Sequence, residues 1–207
     1  MTTLPRIRLS ALALCLSVAL PSGALAQGRP VAIPDSMGTQ DREMLSLALE
    51  LSKRCSETME KWVSGREVSE ERLFSFLYFP MPKTDPPKFT TDWDRLSDRD
   101  ILPMEDATLN RSASLAFAVL VDKFGYLPTH NSRYAQPLTG NGAMDLVNNR
   151  TKRIFNDRVG LLAARSTAPY LLQRYQRDTG EEMVDISVPV YVKGKHWGAV
   201  RLGYRPS

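Results

Sequence analysis

A basic stretch in the second half of the chain, NNRTKRIFNDR at residues 148–158, contains four Arg or Lys among its eleven residues. Arginine forks bind carboxylates through two parallel hydrogen bonds, so Arg150 and Arg153 are candidates for holding a small organic anion if they turn inward. The pattern also predicts a helix from about Ala143 to Phe155, at whose end basic residues would oppose the negative end of the helix dipole in solvent. The sequence leaves both interpretations open.

His130 and His196 are the only two histidines. If they met in space, they would offer two imidazoles to a metal ion or to a noncovalently bound haem. A structural zinc site takes four ligands, and the sequence has no CxxC, HExxH or CxxCH motif. We therefore predict no cofactor and no metal, with a haem or metal sensor using these two residues as an alternative.

The sequence carries no signature of an enzyme. It has no nucleophile elbow, no glycine-rich phosphate loop and no close pair of carboxylates on which a general acid and base would depend. We therefore predict that the protein binds a ligand without turning it over.

The chain begins with a segment typical of a secretory signal peptide. Arg6 and Arg8 precede an apolar run, which closes on the small-x-small cleavage site ALA. We predict cleavage after Ala26, a periplasmic location and a flexible leader over residues 27–40. An uncleaved membrane anchor is the alternative.

The charge balance speaks against nucleic acid as a partner. The full chain has a formal net charge of +4, and removal of Arg6 and Arg8 with the signal peptide lowers it to +2. The basic residues do not form a stripe interleaved with aromatic residues, as a nucleic-acid-binding surface requires.

A long N-terminal helix is predicted from Asp41 onward. Apolar residues recur every three or four positions, which defines one buried face about six turns long: Met44, Ala48, Leu51, Cys55, Met59 and Trp62. Gly65 stands where a C-terminal cap belongs. Cys55 is the one cysteine left after cleavage, and its place on this face predicts a buried thiol.

The rest of the chain predicts a short helix, a long irregular segment and then a sheet. The helix covers 70–79 with Ser69 as its N-cap, and the proline-rich region 80–110 is predicted to wrap the surface with one helical turn near Trp93. Five antiparallel strands follow, over 114–122, 126–131, 169–177, 183–192 and 196–204, with a turn at 178–181. Pro189 implies a bulge or an unpaired neighbour at that position, because it cannot donate to a strand ladder.

Four stretches resemble the Cache-type (PAS-like) periplasmic sensor domain of bacterial methyl-accepting chemotaxis proteins. They are DKFGYLPTHN, NRTKRIFNDRVGLLAARS, PYLLQRYQRDTGE and VPVYVKGKHWGAVRLGY, and the similarity runs from about Asp41 to Tyr204. The resemblance implies an α+β domain over 41–207, in which a long N-terminal helix packs on a five-stranded antiparallel PAS/Cache-like sheet with a small-molecule pocket on one face.

The sequence departs from chemotaxis receptors after its last predicted strand. It shows no second membrane span, no HAMP-like linker and no methylation helix before Ser207. We therefore expect a stand-alone exported domain for signal perception, whose signal passes through a partner such as a membrane receptor.

Within this family pattern, the segment before the third strand forms the pocket wall. We predict a small organic anion, such as a carboxylate or an amino acid, as the ligand. The predicted ligand-binding residues are Arg150 and Arg165 as anchors, Tyr126, His130 and Trp197 as cavity walls, and Asp157 as the partner of an arginine. The alternative is a ligand-free interaction module that forms a homodimer through the 41–63 helix.

Overall fold

The computed structural model describes residues 31, 33–34, 36–176 and 181–206. The predicted signal peptide, part of the predicted leader and most of the predicted turn at 178–181 lie outside the described residues. None of the helices in the described part of the chain is both long and apolar enough to cross a membrane.

The described elements form a mixed α+β fold. In chain order they are α1 Thr39–Ser64, α2 Glu70–Leu73, β1 Phe79–Pro80, β2 Phe89–Thr90, α3 Asp94–Leu96, a π-helical turn Ser97–Ile101, α4 Leu102–Leu109, β3 Leu115–Asp122, β4 Tyr126–Leu127, a 3₁₀ turn Ser132–Tyr134, α5 Gly142–Asn148, β5 Arg153–Ile154, α6 Arg158–Arg165, β6 Leu171–Gln176, β7 Glu182–Val192 and β8 Lys195–Tyr204.

Helix α1 packs its apolar stripe on the main sheet, as predicted. All six residues of the predicted stripe are buried, and Cys55 is fully enclosed. The Gly65 N–H caps the helix by donating to the Lys61 carbonyl at 2.8 Å. The left-handed residue that turns the chain away is the next one, Arg66, with φ of 60°.

The main sheet has four antiparallel strands in the order β3-β8-β7-β6, so the prediction of five was wrong. The missing strand, β4, pairs instead with β5 in a separate two-stranded ribbon. The Asp122 carboxylate accepts the N–H groups of Phe124 and Tyr126, at 2.8 and 3.0 Å, and this tight turn takes the chain off the sheet. Pro128 then ends the strand, because it has no N–H for a ladder.

Helix α5 ends at Asn148, seven residues before the predicted end at Phe155. Lys152 adopts a left-handed conformation with φ of 60°, which a continuous helix cannot contain. The residues after the turn then pair with β4 as strand β5. The interpretation of the basic stretch as the charged end of a helix was therefore wrong.

Two other local predictions differ from the structure. The helix predicted over 70–79 stops at Leu73, although Ser69 caps it as expected by accepting from the Arg72 N–H at 3.2 Å. The region predicted as irregular over 80–110 contains β1, β2, α3 and α4, and the expected turn after Trp93 is α3. Pro103 lies in the first turn of α4, directly after the π-helical turn.

The two faces of the main sheet differ in what covers them. Alternate residues of β7, from Val184 to Val192, pack with α1 in the larger core. The opposite face has a smaller apolar cluster that includes Val119 and Ala199.

The register of β7 and β8 shifts between Val190 and Tyr191, whose partners are Gly198 and His196, so the extra residue is Trp197 of β8. Pro189 itself is in register with Ala199, so the irregularity does not fall at the proline.

Candidate functional site: an arginine-lined cavity

A cavity of about 520 Å³ lies on the sheet face opposite α1. Strands β3, β6 and β8 form its floor, and the chain between β4 and α6 forms its walls. The lining residues are Phe117, Val119, Leu127, His130, Tyr134, Arg150, Phe155, Asp157, Arg158, Val159, Tyr175, Gln176 and Arg201. Of the described residues, three arginines and one aspartate thus face a space whose other walls are largely aromatic or aliphatic.

The floor of the cavity contains a buried ion pair. Arg201 donates from Nε and Nη2 to Oδ2 of Asp185, at 3.1 and 2.7 Å. The Asp185 side chain is fully buried, and burial raises the pKa of its carboxyl against the attraction of Arg201. The ion pair fixes the guanidinium in one orientation, so Arg201 is a rigid feature of the floor.

A glycine makes room for an aromatic side chain at the edge of the floor. Phe117 of β3 is the register partner of Gly203 of β8, and a Cβ added at Gly203 would collide with the Phe117 ring. The Arg201 guanidinium carbon lies 5.9 Å from the centroid of the same ring. The missing side chain at Gly203 therefore determines where one wall of the cavity stands.

Arg150 lies in the wall beside an aromatic surface. Its guanidinium carbon is 5.3 Å from the Phe155 ring centroid, and its backbone N–H donates to the Tyr134 carbonyl at 2.7 Å. The Tyr134 ring contacts the His130 ring edge-to-face, at 4.8 Å between centroids. Aromatic surfaces restrict the rotamers of a guanidinium without neutralising its charge.

Asp157 and Arg158 begin helix α6 at the rim. The Asp157 Oδ1 accepts from the Gly160 N–H at 2.9 Å, so this side chain is the N-cap of α6. Asp157 is exposed rather than buried. Asp157 therefore lines the cavity at its rim, as predicted for a residue near the ligand, and its side chain also caps the N-terminus of α6.

The six residues predicted to bind a ligand lie in three different environments. Arg150, His130 and Asp157 line the cavity. Tyr126 and Trp197 are fully buried in the core on the α1 side of the sheet. The Tyr126 hydroxyl donates to Asp94 and the Trp197 Nε1–H donates to the Leu73 carbonyl.

The split between Tyr126 and its neighbour Leu127 has a simple cause. Successive residues of a strand point to opposite sides, so Leu127 faces the cavity while Tyr126 faces the larger core. Arg165 is exposed on α6 and donates from Nε to the Lys123 carbonyl at 3.2 Å. It does not line the cavity.

The two histidines lie toward opposite ends of strand β8. His130 packs near Phe117, whose register partner is Gly203, whereas His196 precedes Gly198, the partner of Asp122. His196 contacts Tyr191 across the β7–β8 hairpin. Within the described ranges, no three His, Cys, Asp or Glu side chains are grouped so that they could hold a metal ion.

Sequence reasoning missed Arg201 and Asp185, the charged residues of the floor. Each lies on the strand face that alternates with the apolar residues of the larger core. The sequence did contain a signal for this ion pair, because two consecutive strands carry opposite charges on the face that does not contribute to the larger core. A hairpin brings such residues together in adjacent strands.

Comparisons with known proteins identify no family. No family model matches the chain, and no curated protein matches it significantly. Among solved structures, it is similar to an extracellular ligand-binding receptor from Desulfohalobium retbaense, with 14% identity and a TM-score of 0.38. It is also similar to the sensor domain of the V. cholerae histidine kinase DctB, with 15% identity and a TM-score of 0.36.

These likenesses cover most of this chain and a smaller part of the other proteins. The alignments include 82% and 80% of this chain, and they span 26% of the receptor and 57% of the sensor-domain chain. TM-scores below 0.5 are too low to transfer a ligand or a role, so the function of this protein has to be inferred from its own cavity.

Proposed function

We propose that the protein is an exported sensory domain that binds a small organic anion, such as a carboxylate or an amino acid, without catalysis. The observation that carries this proposal is the arginine-lined cavity, in which Arg150, Arg158 and Arg201 face the same space. The anion would lie on the sheet face opposite α1, and its signal would pass to a partner such as a membrane receptor.

The charge of the lining supports an anion. Among the described lining residues there are three guanidinium groups and one carboxylate, Asp157, which already accepts a helix N–H. Arg201 is paired with Asp185 beneath it, whereas Arg150 and Arg158 bring two further positive charges to the lining. Fixed guanidiniums in a partly desolvated site favour a planar, bidentate acceptor such as a carboxylate.

The size and the walls of the cavity support a small guest. A volume of about 520 Å³ falls within the range of small-molecule sites. The rings of Phe117, Tyr134, Phe155 and Tyr175 provide an apolar surface beside the charged groups. Such a lining suits a ligand with a short carbon skeleton next to its anionic group.

The test is a thermal-shift and calorimetric panel with acetate, pyruvate, L-lactate, L-glutamate, L-alanine and inorganic phosphate. A ligand that binds only the native state stabilises it by RT ln(1 + L/Kd), where L is the free ligand concentration, so the melting temperature rises with the logarithm of that concentration once it exceeds the Kd. We expect at least one carboxylate to raise it, and Arg150→Ala to weaken that ligand by about tenfold or more, the loss of a charge-assisted hydrogen bond.

Arg165→Ala is the matched control, because it removes the same side chain from outside the cavity. It should leave the affinity unchanged. No shift with any member of a broad anion panel, or equal effects of Arg150→Ala and Arg165→Ala, would refute the proposal.

A further inference from the structure

A buried lysine lies behind the cavity wall, more than sixty residues before Arg150 in the chain. Lys88 precedes β2 and is only 2% exposed. Its Nζ donates to the carbonyl oxygens of Asn149 at 3.0 Å and Thr151 at 2.6 Å. These are the residues directly before and after Arg150.

The backbone around Arg150 is thereby held from two sides. On the cavity side, its N–H donates to the Tyr134 carbonyl at 2.7 Å. On the other side, the Lys88 ammonium bridges the two neighbouring carbonyls, and the Phe89 N–H donates to the Lys152 carbonyl at 2.8 Å. The β1–β2 hairpin is therefore joined to the loop between α5 and β5.

We propose that Lys88 is the positioning residue of the anion site, because its ammonium fixes the loop from which Arg150 reaches the cavity. The role of Lys88 in anion binding rests on the proposed function, whereas its contacts with the loop do not. Lys88 does not line the cavity and would act only through the position of Arg150.

The electrostatic cost of this arrangement favours a functional role. Burial lowers the pKa of Lys88 to about 8, and the nearby charge of Arg153 also lowers it, while Asp145 raises it and Lys152 lowers it again. No carboxylate in the described part of the chain forms an ion pair with Lys88. A buried cation that has only carbonyl oxygens as partners is costly, and here those oxygens belong to the two residues that flank Arg150.

The ammonium also suits the loop it holds. The turn from Asn149 to Lys152 leaves several carbonyls pointing toward the hairpin, and it includes the left-handed residue Lys152. The carbonyl oxygens of Asn149 and Thr151, two residues apart, accept from the same nitrogen atom, which therefore needs more than one hydrogen. An ammonium has three such hydrogens.

The test is a double-mutant cycle with Lys88→Met and Arg150→Ala. Affinities are measured for the carboxylate that binds most tightly in the panel, with acetate as the common reference probe. We expect Arg150→Ala to weaken binding by about tenfold or more, Lys88→Met by about five- to tenfold, and the double variant to bind no more weakly than Arg150→Ala alone. Coupling of this kind shows that the two residues act through one contact.

Hydrogen exchange of the 149–153 segment provides a second readout that a general loss of stability would not reproduce. Lys88→Met should increase exchange in this segment and leave the amides of β7 protected, whereas Arg150→Ala should leave the segment protected. If Lys88→Met does not fold, Lys88→Gln tests the same contact with a smaller change and one remaining NH2 donor.

The inference would be overturned if the fold-losses in affinity of the two single variants multiplied in the double variant. Wild-type affinity in a folded Lys88 variant would overturn it as well. Failure of the proposed function looks different, since the wild type would then bind no anion in the panel. In that case exchange of the 149–153 segment still shows whether Lys88 holds the loop.

Discussion

Arg201 and Asp185 form an ion pair under the floor of the cavity, with 2.7 Å between Nη2 and Oδ2. The two residues come from adjacent strands, β8 and β7, on the face that α1 does not cover. On the face that packs against α1 these strands carry apolar residues, so the pair places a charged group under the cavity on the opposite face without exposing it to bulk water.

Replacement of Asp185 should therefore be strongly destabilising. Asp185→Ala leaves the Arg201 guanidinium buried without its partner, and we expect a loss of about 3–5 kcal/mol in the free energy of unfolding. Urea denaturation followed by circular dichroism measures it. Glu70→Ala, which breaks the exposed ion pair with Lys195, is the control and should cost far less. Equal losses in the two variants would contradict the buried pair.

Gly203→Ala should move a wall of the cavity. The new methyl group collides with the Phe117 ring, so we expect a loss of about 1–3 kcal/mol in stability together with weaker binding of the carboxylate found in the panel. Phe117→Leu in the same chain should restore part of the stability, because it relieves the collision. Full stability of Gly203→Ala alone would show that the ring moves aside freely.

The buried carboxyl of Glu105 predicts a pH dependence of stability. Burial raises the pKa of Glu105 to about 8, although its Oε1 accepts from the Leu120 N–H at 2.8 Å. Between the ordinary pKa near 4.5 and about 8, the native state holds a proton that the unfolded state has released, so stability falls as the pH rises. The slope for one such group is at most about 1.4 kcal/mol per pH unit.

Glu105→Gln isolates this contribution. Melting temperatures from pH 5 to pH 8 should fall less steeply in the variant than in the wild type. A residual slope of the same sign is expected from Asp122, because burial raises the pKa of its carboxyl to about 6. Parallel profiles for wild type and variant would mean that Glu105 is ionised throughout this range.

Cys55 should be unreactive until the protein unfolds. Burial raises the pKa of this thiol well above its ordinary value, and the nearby Glu105 carboxylate raises it further. Because the thiolate is the reactive form, we expect residues 27–207 to react with a thiol reagent in urea but not in buffer. Rapid labelling of the native protein would contradict the packing of α1 on the sheet.

Much of the fold follows from patterns that the sequence contains locally. Helix α1 and its buried stripe, strand β3, and the period-two residues of β7 agree with the predictions. In α1 and β7, a repeat of 3.6 or of two residues marks one face, and burial of that face determines the element; β3 is a continuous apolar run that is buried on both faces. Such an element can be predicted without knowing which other element covers its buried face.

Predictions failed where a neighbour distant in sequence decides the local structure. The stretch from Arg150 to Phe155 could extend helix α5. Instead, part of it pairs with β4 as strand β5, and the Thr151 carbonyl accepts a hydrogen bond from Lys88. Neither partner is within twenty residues. The same competition removes β4 from the main sheet, which is why the sequence predicts five strands and the structure has four.

By itself, the sequence determined the class of the fold, the long helix and the presence of arginines in the segment that forms the cavity wall. Only the tertiary structure decided which arginines meet: Arg150 and Arg201 face one space, while Arg165 lies outside it. The physical reason is that periodicity specifies which residues share a face of one element. The pairing of faces depends on register and on loop paths, which long-range hydrogen bonds and buried charges fix.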